Sequence, residues 1–209
     1  MNLALTIGLA YLVGGIPMSH MAARYGAGID LRQHGSKNFG ATNVYRMLGW
    51  KYAIPVGLFD VAKGFVPTYF FAPWVGAADW IPLAIGLGAI VGHVFPVYMK
   101  FSGGKGVATA AGALLGVAPT ATLVSVAAWG VLVFATGIVS VASMSVALVF
   151  PMTVWVLTPE RTTLLYAGVA IACFIVFNHR TNIRRIGDGV EPRFGRHRWG
   201  GGAGGGGGA

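Results

Sequence analysis

Three short stretches of this chain hold most of the side chains that could bind an anion or move a proton. The first is Gly35-Ser36-Lys37-Asn38-Phe39-Gly40-Ala41-Thr42-Asn43-Val44-Tyr45-Arg46. The second is Lys100-Phe101-Ser102-Gly103-Gly104-Lys105-Gly106-Val107-Ala108-Thr109. The third is Asn178-His179-Arg180-Thr181-Asn182-Ile183-Arg184-Arg185. A glycine-rich turn such as Gly103–Gly106 can turn several backbone N–H groups toward one anion. A helix starting there adds its positive end, and Lys105 adds a full charge. Alone, the motif serves equally well as a glycine hinge, since it lacks the spacing and terminal Ser/Thr of a nucleotide P-loop. Arginine forks hold phosphate bidentately, and asparagine can hold a hydroxyl or a carbonyl. His179 is the one evident acid–base group in the three clusters, because imidazole titrates near neutrality.

Other chemistries have little to work with. The chain has six acidic residues in 209, so neither a divalent-metal site nor a metal cofactor is expected. Ser36 has no partner base nearby in sequence, and Cys173 sits in an apolar run with no basic neighbour. His20 and His93 read as structural hydrogen-bonding groups, His93 in support of the second cluster. The net charge of +9 lacks the aromatic-interleaved basic face of a nucleic-acid binder, so no nucleic-acid partner is expected.

The elements that must carry these clusters are apolar. Hydrophobic residues make up 55% of the chain and charged ones 10%, against about 25% charged in soluble domains. No Asp, Glu, Lys or Arg lies between Lys105 and Glu160. The chain reads as all-α and polytopic, because backbone groups in lipid must be paired within their own segment. Seven spans are expected: Leu3–Ala23, Tyr52–Ala72, Trp80–Met99, Val107–Val117, Thr120–Phe134, Ile138–Val156 and Leu164–Phe177. The fourth is short, so it is tilted or enters from one surface. Asp60 and Lys63 share a helix face within the second span. They read as an internal pair in preference to a cavity wall.

Basic residues mark the cytoplasmic side. Arg24, Arg32, Lys37, Arg46 and Lys51 follow the first span, Lys100 and Lys105 the third, and Arg180, Arg184 and Arg185 the last. With all of them inside, the N-terminus is outside and the C-terminus cytoplasmic. Met1–Ser19 lacks a basic n-region and a cleavage site, so it reads as a retained span. A single membrane domain is expected over residues 1–191, followed by a basic, then glycine-rich, flexible tail over 192–209.

In motif order and content the chain resembles the bacterial acyl-phosphate:glycerol-3-phosphate acyltransferases, the PlsY family. The matching stretches are His34-Gly35-Ser36, Asn38, Gly40-Ala41-Thr42-Asn43 and Arg46; Asp60 with Lys63-Gly64; Gly92-His93 with Phe95-Pro96-Val97; Lys100-Phe101 with Gly103 to Thr109; and His179-Arg180, Asn182-Ile183-Arg184, Gly189 and Glu191. Lys37 and Phe39 depart from the glycine and isoleucine usual there, and the polyglycine end is also a departure. The resemblance implies a seven-helix inner-membrane enzyme with its active site on the cytoplasmic face. It would pass a fatty acyl group from acyl-phosphate to the 1-hydroxyl of sn-glycerol 3-phosphate, giving lysophosphatidic acid and phosphate. No cofactor is implied. The partners would be both substrates, the bilayer and, transiently, the soluble enzyme that makes acyl-phosphate.

On this reading His179, Lys105 and Ser36 are the catalytic residues. Asn38, Thr42, Asn43, Arg46, Gly103, Gly104, Gly106, Thr109 and Asn182 bind substrate or phosphate. The base is either His179 or the departing phosphate, and the loop could hold either substrate's phosphate. A transporter of phosphorylated metabolites is the rival, but it should show polar residues on both faces and through the midplane. An acyl-CoA-dependent enzyme would have a His followed five residues later by Asp, a pattern that none of the five histidines shows.

Overall fold

A computed structural model describes residues 1–194; residues 195–209 of the expected tail lie outside them. The described residues are helical throughout, without strands. The main elements are α1 (Leu3–Gly15), α2 (Met18–Ala27), α3 (Ala41–Leu48), α4 (Trp50–Val66), α5 (Trp80–Val94), α6 (Val107–Leu115), α7 (Pro119–Thr136), α8 (Val139–Leu157), α9 (Thr162–Asn178) and α10 (Arg180–Gly187).

Four stretches are long and apolar enough to cross a bilayer: Leu3–Ala27, Trp80–Met99, Pro119–Thr136 and Val139–Leu157. A fifth arises if α9 and α10, bent by 56° at His179, are taken together. The expected Tyr52–Ala72 span is not among them: α4 has 17 residues and carries Asp60 and Lys63, both buried. The expected Val107–Val117 span is also not among the four. Its helix α6 has 9 residues, about 14 Å of rise, under half of the ~30 Å of a hydrocarbon core.

The first span is broken where a single helix was expected. Pro17 lacks an N–H and pushes Ile16 out of helical geometry, so α1 stops and α2 restarts at Met18. The carbonyl of Ile16 accepts a hydrogen bond from Lys63 Nζ at 3.2 Å. That ammonium also lies 2.7 Å from Asp60 Oδ1. The i, i+3 pair therefore ties α4 to the break in the first span.

Close helix pairs rest on small residues, as expected where lipid offers no hydrophobic drive between helices. Gly64 and Gly112 bring α4 and α6 together; a Cβ at either would overlap backbone of the other helix, at Thr109 and Val61 respectively. Gly14 and Gly92 do the same for α1 and α5, against Ala89 and Tyr11. α7, α8 and α9 form a second group, with Ala121, Phe150, Val154, Leu164 and Ile171 in its core. The site lies between the two groups, at the end where α6 and α8 begin and α7 and α9 finish.

Gly112→Ala is expected to destabilise the fold by about 1–3 kcal/mol, because α4 and α6 must separate. Gly130 in α7 has open space around its would-be Cβ. Gly130→Ala is expected to be neutral or stabilising by about 0.5–1 kcal/mol. Reversible unfolding in mixed micelles compares the two; equal losses would contradict the packing assigned to Gly112.

Candidate active site

A cavity of about 400 Å³ runs from the ends of α3 and α10 into the space between α6, α7, α8 and α9. Its mouth is polar. Ser36, Asn38, Thr42, Arg46, Lys105, His179, Asn182, Arg185 and Glu191 line it. Deeper, the wall is Leu114, Val126, Trp129, Ala147, Phe150, Ile171 and Ile175. All three sequence clusters meet at the mouth, although 146 positions separate Ser36 from Asn182.

Glu191 organises this mouth. Its Oε1 accepts from Asn182 Nδ2 at 2.6 Å and from Ser140 Oγ at 2.7 Å. Its Oε2 accepts from Arg185 Nε at 2.7 Å. Asn182 Oδ1 in turn accepts from Lys105 Nζ. These charge-assisted bonds hold the Glu191 carboxyl below its ordinary pKa despite the opposing effect of burial. Lys105 is also lowered, to about 8, which in a cationic group weakens the charged form. Burial is the main cause, with repulsion from Arg185 and Arg46 added and attraction to Glu191 opposing. Three cations and one carboxylate leave an excess of positive charge in a poorly solvated pocket, which favours an anionic ligand.

His179 sits at the bend between α9 and α10, past the apolar helix, and is buried. Its Nδ1 lies 2.8 Å from the carbonyl oxygen of Ile175. A carbonyl only accepts, so Nδ1 carries the hydrogen and Nε2 presents its lone pair. Burial and nearby Lys105 bring the ring down to about 4, against the opposing effects of the Ile175 bond and Glu191, so it is neutral at physiological pH.

The glycine loop is built differently from the expected cradle. Gly104 N–H donates to the His93 carbonyl at 3.1 Å. A Cβ at Gly103 would overlap that same carbonyl, and one at Gly104 would overlap the His93 ring. Gly103 and Gly104 are therefore needed for close packing on α5, and neither lines the cavity. His93 Nδ1 lies 3.6 Å from Asp60 Oδ1, so the loop rests on His93, Asp60 and Lys63 in turn. The anion-facing parts are Lys105, Gly106 and the start of α6. Gly106 has φ 85°, a left-handed position that suits glycine. Val107 and Ala108 follow it along the cavity wall, where the first helical N–H groups have no acceptor within the helix.

Of two further expected ligands, one lies off the cavity and the other on its wall. Thr109 is fully buried against α4, outside the cavity lining, and its hydroxyl has no partner among the described residues. Asn43 reaches the cavity wall, but its amide is spent on the first cluster. Its Oδ1 accepts from Ser36 N–H at 3.0 Å, and its Nδ2 donates to the Asn38 carbonyl at 3.1 Å. It shapes the loop that presents Ser36. Arg46 donates to the Pro192 carbonyl at 3.3 Å, while Phe194 stacks on Tyr45 and its N–H donates to the Gly137 carbonyl at 2.6 Å. Residues 192–194, placed in the tail by sequence, thus pack across the mouth.

Residue-type reasoning placed Arg185 in the third cluster without giving it a site role, and passed over Ser140 and the central role of Glu191. Glu191 had a readable signal, being one of six acidic residues and lying amid arginines. A lone serine in an apolar helix gives no such signal.

The glycerol-3-phosphate acyltransferase family model matches residues 4–189. The enzyme of that name from Geobacter sulfurreducens is 42% identical over 195 residues, 93% of this chain and 98% of its own. That from Bacillus subtilis strain 168 is 39% identical over 193 residues, 92% and 98% of the two chains. The crystal structure of PlsY (YgiH), an integral membrane glycerol 3-phosphate acyltransferase, in its glycerol 3-phosphate form superposes with a TM-score of 0.86 at 36% identity, covering 92% of this chain and 96% of that one. Its lysophosphatidic acid form gives 0.84 at 34% identity, with 92% and 95% covered. The family match thus spans the helices from α1 through α10, and the chain belongs to the glycerol-3-phosphate acyltransferase family of integral membrane enzymes.

Proposed function

We propose that this enzyme takes its acyl group from acyl-phosphate and delivers it to the 1-hydroxyl of sn-glycerol 3-phosphate, releasing lysophosphatidic acid and phosphate. The observation that carries this reading is the two-ended cavity. Cations gather at its mouth and an apolar channel lies behind them, so an acyl chain and two phosphate groups can meet at one carbonyl. Acyl-phosphate is a mixed anhydride with a good leaving group, so direct attack suffices and the chemistry is largely alignment.

In this mechanism Lys105, with the start of α6 and Gly106, neutralises phosphate and the oxyanion that develops at the carbonyl. Arg46 and Arg185 hold the second phosphate, with Asn38 and Thr42 at the rim. Ser36 and His179 Nε2 orient the attacking hydroxyl. The hydroxyl oxygen forms the new bond to the carbonyl carbon, and the bond from that carbon to the phosphate oxygen breaks. An imidazole at about 4 is a weaker base than a phosphate with a second pKa of about 6. The departing phosphate therefore takes the proton, and His179 positions the hydroxyl that gives it up. The acyl chain lies among α6 to α9.

The same reading places the protein in the cytoplasmic membrane with seven crossings: α1 with α2, α4 with its following turn, α5, the short α6 together with the segments on either side of it, α7, α8 and α9. The N-terminus is outside and the mouth of the cavity is cytoplasmic, within reach of the soluble enzyme that makes acyl-phosphate. The clustering of Arg46, Lys100, Lys105, Arg180, Arg184 and Arg185 at one end supports this.

Purified protein with glycerol 3-phosphate is expected to form product from acyl-phosphate and none from acyl-CoA; the reverse result would overturn the donor assignment. His179→Ala is expected to lower kcat by about 10²-fold or more. Normal turnover in a folded variant would remove His179 from the mechanism.

Lys105 is charged below its pKa of about 8. Loss of that charge should make kcat/KM for glycerol 3-phosphate fall as pH rises through this value. Lys105→Arg should shift the fall to higher pH, since arginine stays protonated. Glu191 raises the Lys105 pKa, so Glu191→Gln should start the fall at lower pH. A pH profile shared by wild type and both variants would show that Lys105 is not the titrating group.

A further inference from the structure

Lys37 carries a charge that the mechanism above does not use, and its backbone is held in a strained conformation. Its φ is 57°, in the left-handed region that residues with a Cβ avoid. Asn43 clamps the chain on both sides of it. Asn43 Oδ1 accepts from Ser36 N–H at 3.0 Å, and Nδ2 donates to the Asn38 carbonyl at 3.1 Å. The Lys37 N–H closes the preceding turn on the His34 carbonyl at 3.2 Å. Glycine could keep all of these bonds without strain. Packing does not account for the lysine, because the residue is exposed.

Its surroundings give the charge a task. Ser36 and Asn38, its two chain neighbours, both line the mouth of the cavity. Their Cα atoms lie about 3.8 Å from that of Lys37. The ammonium, on its four-carbon stem, therefore stays within about 10 Å of the mouth, one Debye length in 0.1 M salt. Other cations in the same region are engaged. Arg32 is paired with Asp30 at 2.7 Å, and Arg185 with Glu191 at 2.7 Å. Arg46 donates to the Pro192 carbonyl and Lys105 to Asn182. Lys37 takes part in none of the ion pairs among the described residues. Its field therefore reaches the water in front of the mouth without a carboxylate to cancel it.

We propose that Lys37 is an entry cation, which draws glycerol 3-phosphate from water toward the mouth without touching the reacting atoms. This rests on the reading that the mouth takes the phosphate of that substrate. A phosphate monoester carries about two negative charges at neutral pH. Its attraction to one ammonium across about 9 Å of water is worth about threefold in capture at ~20 mM salt, and under about 1.3-fold at ~500 mM. A strongly hydrated charge on a flexible stem suits this use, since it attracts the anion without gripping it.

The test measures kcat and KM for glycerol 3-phosphate with the full-length enzyme in uncharged detergent, at about 20 and about 500 mM salt. The acyl donor is whichever supports turnover, held at saturation. Asparagine and glycine both accept the left-handed position, so Lys37→Asn and Lys37→Gly should fold as wild type does. Each should raise KM about threefold at low salt, leave kcat unchanged and match wild type at high salt. Lys37→Glu, a swing of two charges, should raise the low-salt KM about sevenfold. Arg24→Gln removes an equal charge from α2, none of whose residues lines the cavity. It should shift KM less than Lys37→Asn does. An unchanged low-salt KM in the Lys37 variants, a fall in kcat in place of the rise in KM, or an equal shift in Arg24→Gln overturns the inference. Arg46→Ala separates it from the reading beneath it. If Arg46→Ala raises KM and the Lys37 variants do not, the inference fails alone. If none of them moves KM, the mouth does not take the phosphate, and both fail.

Discussion

One buried carboxylate among three cations holds this active site together. Arg46, Lys105 and Arg185 converge in a pocket where water screens them poorly, and their mutual repulsion would drive the mouth open. Glu191 opposes that repulsion directly through Arg185 and indirectly, via Asn182, at Lys105. It does not neutralise the pocket. The excess positive charge that remains is the attraction left for a phosphate-bearing substrate, and a second carboxylate would cancel much of it. The scarcity of acidic residues fits this need.

The same compromise appears on the other side of the glycine loop. Asp60 compensates Lys63 on the buried face of α4, and Lys63 also satisfies the carbonyl freed by the break at Pro17. The polar groups that lower the hydropathy of α4 are thus consumed in fastening α1, α2, α4 and α5 around the loop. The short helix α6 packs closely on both α4 and α5, through Gly64 and Gly112 on one side and Gly86 against Ala113 on the other.

Much of this architecture could be read from residue types, and the exceptions share a cause. Long uncharged runs announce α5, α7 and α8 because lipid tolerates little else. The clustering of Lys105, His179 and Asn182 followed from basic residues marking one face. Gly103 and Gly104 misled, because a glycine required by a neighbouring backbone looks the same in sequence as one required by a ligand. Only the position of His93 across the loop separates the two. Asn43 is ambiguous in the same way: an amide that closes a loop and an amide that grips a substrate are the same residue. Ser140 and the depth of Phe150 depend on which helices face each other, and periodicity within one helix does not carry that information.

The stretch from Glu191 to Phe194 bears on how the enzyme comes into being. Residues supplied early, such as Ser36 and Arg46, stand beside a carboxylate from near the end of the chain, and Phe194 fastens that end to Tyr45 and Gly137. During synthesis the helices can enter the bilayer in order, but the pocket lacks its organising charge until Glu191, which follows all ten helices, has left the ribosome. A chain cut short before Glu191 would keep its crossings and its apolar channel while losing the means to hold Lys105 and Arg185 in place. Membrane insertion and acquisition of activity are therefore separate events in the life of this protein.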